Sequence, residues 1–468
     1  MTPNPDTSQV GKHQYVVHKA VNRPSFSPNF TRMRKQTVRS AVSCDVKVRR
    51  KPSMHTITPD EGKNTARRPA LPATASISTL HITPYESKEA MENRVLIIGA
   101  GTVGLLIAQS LKKVGIPCIV FEQAASVDAR PRDWSFGVYW AQTPLAECLP
   151  EGIDEKYIWE NAQVDKLTPR EDLVLPYYNS ETGELMKNIP TPFSIRLARR
   201  KLLKILAQGV DIRYEKRLAD VKVEGETVTA IFEDGTKEEG KLLIGCDGAH
   251  SRVRNFLLVG AIDKNTRTIP NLTQDVVTVH DGIDSDPAKW KFTLLITWPE
   301  TESDMKETGV NNLSTRPDIV QDMKRRTEAF AEPFRSFFQA VPNDALAWHN
   351  RLSNWPTEKW DNKNGRVTLA GDAAHPMTFH RGQGLNNAIT DACTLLRALR
   401  EHHPADVGSY VEALKVYEGD VWKRGREAVL SNEENTMMLH DWKSVEQSPI
   451  FNVGVVTNAP GRKAKAKV

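Results

Sequence analysis

The segment Val95-Leu-Ile-Ile98-Gly99-Ala-Gly101-Thr-Val-Gly104 restricts the possible folds of this chain more than any other. Four consecutive bulky apolar residues predict a buried strand, and the apolar run over residues 103–114 predicts a helix behind it. Cys118-Ile-Val-Phe121 then reads as a second strand that closes on Glu122. Strand, helix and strand in this order make a βαβ unit, with its two strands parallel. The three glycines have separate purposes. Gly99 permits the tight turn, Gly101 lets backbone approach a pyrophosphate, and Gly104 lets helix and strand pack closely. A phosphate placed there meets the positive end of the helix dipole. Glu122, 18 residues past Gly104, offers a carboxylate to ribose hydroxyls and repels a 2′-phosphate.

A second strand–glycine–helix element lies far along the chain. Residues 367–370 predict a strand and Gly371-Asp372 a turn, followed by a glycine-rich loop through Gly382 and Gly384 and a helix from near Leu385. Two such elements suit one extended ligand gripped from both sides, a dinucleotide with a reactive ring such as FAD. Taken alone, Asp372 either meets a hydroxyl of that ligand or simply caps a turn. Gly384 and Leu385 open a helix whose free N–H groups and dipole favour negative charge. His375 and His380 read as structural. Between the two elements, the buried strand 242–246 runs into Asp247-Gly248 and Ser251. Asp247 either orients backbone near a pyrophosphate or belongs to an ordinary Asp-Gly turn with Ser251 as N-cap.

Composition separates the chain into a leader and a body. Residues 1–90 hold 15 Lys and Arg against 6 Asp and Glu, so the net charge of +5 comes from a +9 leader and a −4 remainder. The basic character therefore gives the body no basis for binding nucleic acid. The leader is rich in Ser, Thr and Pro and lacks periodicity, so it is expected to be disordered, with a transit peptide as the second reading and a fold beginning at Met91 as the third. Five cysteines without a CxxC pair favour free thiols, a reducing compartment and no metal site. No run of 18 apolar residues is present, so a membrane span is not expected. Cytoplasmic placement follows, or mitochondrial placement if residues 1–90 act as a transit peptide.

Further elements read as a basic amphipathic helix over 199–208, three short strands over 210–240, a strand of a second sheet over 290–298, and helices over 319–340, 388–400 and 411–432. The expected organisation is α/β: a Rossmann-like domain with a parallel sheet, interleaved with a smaller mixed β-sheet domain and followed by C-terminal helices. Residues 91–255 form its first part, including part of the second sheet, and 256–360 a substrate domain. Residues 361–445 return to the first domain, and 446–468 are a polar tail.

The three motifs, in this order, resemble the single-component FAD-dependent aromatic hydroxylases of the para-hydroxybenzoate hydroxylase fold. The stretch Trp360-Asp-Asn-Lys-Asn-Gly-Arg-Val-Thr-Leu-Ala-Gly-Asp-Ala-Ala-His-Pro-Met377 is similar to fungal members tied to secondary metabolism. The resemblance covers about 91–450. It implies that Gly99, Gly101 and Gly104 cradle the FAD pyrophosphate and that Glu122 holds the adenosine ribose. It implies that Arg199 lies near the FAD phosphates, that Arg132 either joins it there or is a solvated loop arginine, and that Asp247 serves FAD and the nicotinamide co-substrate. Asp372, Gly384 and Leu385 would hold the ribityl chain and the pyrimidine edge of the flavin.

The implied activity is an NADPH- or NADH-dependent monooxygenation. Flavin and O₂ would give a C4a-hydroperoxide that hydroxylates an aromatic or polyketide-like small molecule. A flavin-dependent epoxidase or dehydrogenase, and a non-catalytic FAD-binding remnant, are the alternatives. Two departures from the family pattern stand out. Phe379 occupies the place of the usual loop proline, and the segment 257–290 is short enough that strands of the substrate sheet are expected to be missing. No catalytic base is evident.

Overall fold

The computed structural model describes residues 94–130, 132–164, 170–258, 291–298, 318–349, 352–402 and 410–455, with strands at 14–17, 40–46, 267–268 and 274–281. Its centre is a five-stranded sheet. The order is Val367–Leu369, Leu242–Gly245, Val95–Ile98, Cys118–Phe121 and Ile212–Arg213, with every neighbouring pair parallel. A parallel sheet covered on both faces needs apolar side chains on both sides of each strand, and all four residues of Val95–Ile98 and of Leu242–Gly245 are buried. The helix Thr102–Lys113 lies against the helix Gly384–Glu401 and shares its core. On this same core sits a three-stranded antiparallel meander, Leu218–Glu224, Thr227–Phe232 and Lys237–Gly240. Val228, Ala230 and Phe232 alternate inward along its middle strand, and the Phe232 ring meets Phe121 at 4.7 Å. The motif strands thus form where sequence periodicity predicts them.

A second sheet has seven strands: Leu346–His349, Ser40–Val46, Lys291–Thr297, Gln274–Asp281, Gln14–Val17, Val174–Asn179 and Leu185–Pro190. All neighbours are antiparallel except Gln14–Val17 and Gln274–Asp281. Helices Ile319–Arg326 and Phe334–Gln339 cover it through Met323, Phe334 and Phe338, which meet Tyr178, Leu294 and Ile296 of the sheet.

Three expectations change here, while the short 257–290 segment contributes one strand of this sheet, Gln274–Asp281. Two segments of the leader, Gln14–Val17 and Ser40–Val46, are strands of the same sheet, where alternating strand neighbours supply the backbone partners that they lack alone; the rest of residues 1–93 apart from these lies outside the described residues. The helix expected over 319–340 is two helices, because the intervening turn ends at Pro333, whose ring cannot donate to a continuing helix. The polar tail begins with an ordered helix, Pro449–Val453, whose Phe451 ring meets Tyr177 edge-on at 5.0 Å. Residues 456–468 lie outside the described residues.

Candidate functional site

Strand order brings the three motifs together. Ile98, Gly245 and Leu369 are paired neighbours at the carboxyl ends of adjacent parallel strands. Gly99, Asp247 and Asp372 therefore leave the sheet from one edge, where open α/β sheets bind their ligands. Gly99 has φ +109°, and a Cβ there would meet the Cys246 carbonyl oxygen at 2.4 Å. A Cβ on Gly104 would meet the Gly99 carbonyl oxygen at 2.1 Å, so the helix can approach the turn only through glycine. A Cβ on Gly101, by contrast, meets nothing within 4 Å. Open space beside a helix N-terminus is the cradle that a phosphate group fits.

Glu122 reaches back to this turn. One carboxylate oxygen accepts from Ala100 N at 2.9 Å and the other from Ala124 N at 2.9 Å, with Arg130 at 3.4 Å. Arg199 opens the helix Arg199–Leu206, and its guanidinium lies 4.7 Å from the Trp134 ring centre. Arg132 shares that ring at 5.4 Å and also approaches Trp348 of the seven-stranded sheet at 5.9 Å. Burial, with Arg130 beside it, lowers the Arg199 pKa, while Asp133 and Glu122 act against the shift. Both guanidiniums thus lie within cation–π reach of one indole ring.

Asp247 caps the short helix Arg252–Leu257. Its carboxylate accepts from Ser251 Oγ and from Arg252 N at 2.7 Å, while Ser251 Oγ accepts from Arg254 N at 2.9 Å. The capping reading of Asp247 and Ser251 is therefore what the geometry displays. Burial raises the Asp247 carboxyl, against these hydrogen bonds. Arg254 then crosses to the third motif, donating to the carbonyls of Asp372 at 3.3 Å and Ala373 at 3.0 Å with its guanidinium 5.1 Å from the Trp355 ring centre.

Asp372 is solvent-accessible and yet closely surrounded, the condition of a side chain on a cleft wall. Burial raises its carboxyl, as does Asp391, and the charges of His375 and Arg254 oppose them. Gly384 is the first residue of its helix, and a Cβ on it would find only Met377 Cγ at 3.8 Å and Asp372 Oδ1 at 3.9 Å. Leu385 is half-buried beside it. Asp372, Gly384 and Leu385 are thus together, as the sequence predicts.

Sequence reasoning missed the groups that hold this loop. Asp391, fully buried, accepts from Gly371 N at 2.7 Å, from His375 Nε2 at 2.7 Å and from Arg424 at 2.8 Å. Asn386 accepts from Tyr139 N at 2.8 Å and donates to the carbonyls of Gly137 and Gly382 at 3.0 Å each. Asn386, Asn387 and Asp391 at polar positions in the first half of a largely apolar run were the available signal. Among the described residues, no group of His, Cys, Asp and Glu could hold a metal, and no helix is long and apolar enough to cross a membrane.

Known proteins resemble this chain in sequence and in fold. A sequence profile described as an FAD binding domain matches residues 198–418. The FAD-dependent monooxygenase cctM of Talaromyces islandicus is 44% identical over 391 residues, covering 77% of this chain and 96% of that protein. The chain belongs to the FAD-dependent monooxygenase family. The FAD-dependent monooxygenase phnB of Penicillium herquei is 32% identical over 400 residues, covering 78% of this chain and 95% of the relative. Among solved structures, Klebsiella pneumoniae HpxO complexed with FAD and uric acid superposes with a TM-score of 0.57 at 21% identity, over 76% of this chain and 91% of that one. That likeness is one of overall fold. Family membership makes the chain an FAD-binding oxidoreductase.

Proposed function

We propose that this flavoprotein uses NADPH or NADH and O₂ to hydroxylate an aromatic or polyketide-like small molecule. One observation carries the reading: the three motif turns leave three adjacent parallel strands at one edge, where the helices from Thr102 and from Gly384 begin. The residues fit FAD. The open space at Gly101 and the helix behind it suit the pyrophosphate, with Gly99 and Gly104 shaping the turn. Glu122 would hold the ribose, exchanging a bond to the chain's own backbone for ligand hydroxyls. Arg199 and Arg132 would face the phosphates, and Asp247 would set the backbone between the FAD and nicotinamide sites. Asp372 would take the ribityl hydroxyls, and the N–H groups at Gly384 and Leu385 the pyrimidine edge.

Bound FAD supplies hydride acceptance and oxygen activation. The chain's own contribution is placement. The helix starting at Gly384 would offer its N–H groups and positive end to the flavin, favouring the negative charge of a reduced ring. The seven-stranded sheet meets the Gly-Asp loop through Thr297 and His380, and would limit the entry of water from that side. Free thiols at Cys118, Cys148, Cys246 and Cys393 suit a reducing compartment, and we place the protein in the cytoplasm on that ground.

The test is direct. The purified protein should be yellow, or become so on reconstitution with FAD, and should oxidise NADPH in air. Products from candidate phenols, identified by mass spectrometry, should carry one added oxygen atom. A colourless protein that cannot take up FAD would remove the proposal, and bound flavin without NADPH or NADH oxidation on any phenol would remove the monooxygenation.

A further inference from the structure

Four side chains from three separate elements close a ring of hydrogen bonds at the Gly-Asp loop. Thr436 lies near the end of the long helix Val411–Leu439, and His440 directly follows that helix. Thr297 ends the strand Lys291–Thr297 of the seven-stranded sheet, and His380 belongs to the loop. His440 Nδ1 lies 2.5 Å from the Thr436 carbonyl oxygen, and its Nε2 lies 3.1 Å from Thr297 Oγ1. Thr297 Oγ1 lies 3.5 Å from His380 Nε2, the longest link. His380 Nδ1 then lies 2.8 Å from Thr436 Oγ1, which returns the circuit to the residue where it began. Thr297, His380 and Thr436 are buried, and His440 is half-buried.

One carbonyl sets the direction of every bond. A carbonyl only accepts, so a neutral His440 carries its proton on Nδ1 and accepts at Nε2. The Thr297 hydroxyl therefore donates to His440, and its oxygen accepts from His380 Nε2. His380 Nδ1 is left to accept from the Thr436 hydroxyl. The same helix end holds the rest of the loop. Thr378 Oγ1 lies 2.6 Å from Thr436 Oγ1, Arg381 donates to Ser431 Oγ at 2.6 Å, and Asn432 Nδ2 donates to Gln383 Oε1 at 2.9 Å. Gln383 immediately precedes Gly384, where the helix offered to the flavin begins. The loop is thus clamped to one helix, and Thr297 joins the second sheet to that clamp.

We propose that Thr297 is a positioning residue for the flavin: through His380 it ties the second sheet to the Gly-Asp loop and so fixes the helix start at Gly384. This rests on the FAD monooxygenase reading above, and deepens it by naming the residue through which the second sheet acts on the cofactor site. The physical basis is the cost of a buried N–H without an acceptor, which exceeds the net contribution of the bond itself. Without the Thr297 hydroxyl, His380 Nε2 must find another acceptor, and the loop that carries it shifts. A group held loosely by its supporting contacts binds and orients its ligand less well.

The test compares full-length, FAD-loaded wild-type protein with Thr297→Val and Thr297→Ser. Valine keeps the shape of threonine without its hydroxyl, and serine keeps the hydroxyl. Thr297→Val should weaken FAD binding by about tenfold, shift the visible absorbance maximum of the bound flavin, and lower kcat for NADPH oxidation with KM for NADPH unchanged. Thr297→Ser should restore all three. His440→Ala opens the same circuit from its half-buried side, and its flavin maximum should shift in the same direction. This second variant decides the matter if Thr297→Val does not fold. A valine variant with the wild-type flavin spectrum, whatever its stability, overturns the assignment. So does a serine variant that restores nothing, or a His440→Ala protein with the wild-type spectrum. Failure of the broader reading looks different, since it would appear as absent flavin or absent NADPH oxidation in the wild-type protein.

Discussion

His375 donates from Nε2 to Asp391 Oδ2 across 2.7 Å, with both side chains fully buried. This pair joins the Gly-Asp loop to the middle of the helix that begins at Gly384. The same carboxylate accepts from Gly371 N and Arg424, so it holds the turn that presents Asp372. Burial alone would raise the Asp391 carboxyl, but the charges and hydrogen bonds of His375 and Arg424 outweigh it and the net shift is downward. Asp391→Asn keeps the shape and removes the charge, leaving Arg424 and His375 facing a neutral amide. Breaking a buried charge network by removing one partner costs about 3–5 kcal/mol. Chemical unfolding should register that loss, together with a fall in bound FAD. A variant as stable as the parent would contradict the anchoring role.

Asp372 should behave differently. It is accessible to solvent on the turn before the Gly384 helix. Asp372→Ala is expected to leave the unfolding midpoint of the FAD-free protein within about 0.5 kcal/mol of the parent. Flavin retention through gel filtration, read from the visible absorbance relative to that at 280 nm, should drop. Unchanged retention would rule out the ribityl role.

The three glycines of the first turn separate stability from binding. Gly99→Ala places a Cβ 2.4 Å from the Cys246 carbonyl oxygen at φ +109°, and should destabilise the fold by about 3 kcal/mol or more. Gly101→Ala meets nothing within 4 Å, so folding should be nearly unaffected while the methyl group obstructs the approach of a pyrophosphate. Thermal unfolding and FAD titration of both variants check this. Equal effects of the two on stability would mean that the cradle is only a packing feature.

Glu418 gives a pH signature unrelated to the flavin. It is 1% exposed, and accepts from Thr368 Oγ1 at 2.8 Å, Asn362 Nδ2 at 2.9 Å and Trp360 Nε1 at 3.1 Å. Burial outweighs these donors and pushes its carboxyl up to about 7 from 4.5. A carboxyl raised on folding favours the protonated form. Its stabilisation is therefore complete below pH 4.5 and is lost as the pH rises through 7, up to about 3 kcal/mol for a shift of this size. Glu418→Gln removes the titration. Relative to this variant, the wild-type protein should gain stability in urea between pH 8 and pH 5. A gap that does not change with pH would show that Glu418 stays ionised.

Much of the parallel-sheet half is legible in the sequence. Val95–Ile98 and Cys118–Phe121 appear with the predicted boundaries, and Leu242–Gly245 and Val367–Leu369 end one residue early. These strands are short, continuous apolar runs closed by glycine or a carboxylate, and such signals are local. That Gly384 starts a helix is also local, since a glycine-rich loop cannot continue one and the apolar periodicity begins there. The second sheet was harder to read. Gln14–Val17 and Ser40–Val46 sit in polar surroundings along the chain, and they are strands only because partners from residues 174–179, 274–281, 291–297 and 346–349 meet them.

From local pattern alone, then, the chain was committed to a dinucleotide-type turn, an acidic residue after the second strand, and a helix behind the Gly-Asp loop. Adjacency was not encoded in any local stretch. Parallel pairing of Leu242–Gly245 between Val95–Ile98 and Val367–Leu369 puts Gly99, Asp247 and Asp372 at one edge, although they are up to 273 residues apart in sequence. The Thr297 circuit and the Asp391 anchor likewise depend on contacts between distant segments. Hydrogen bonds and steric contacts act over a few ångströms, so a side chain's partners are set by how the sheets and helices pack and not by its neighbours along the chain.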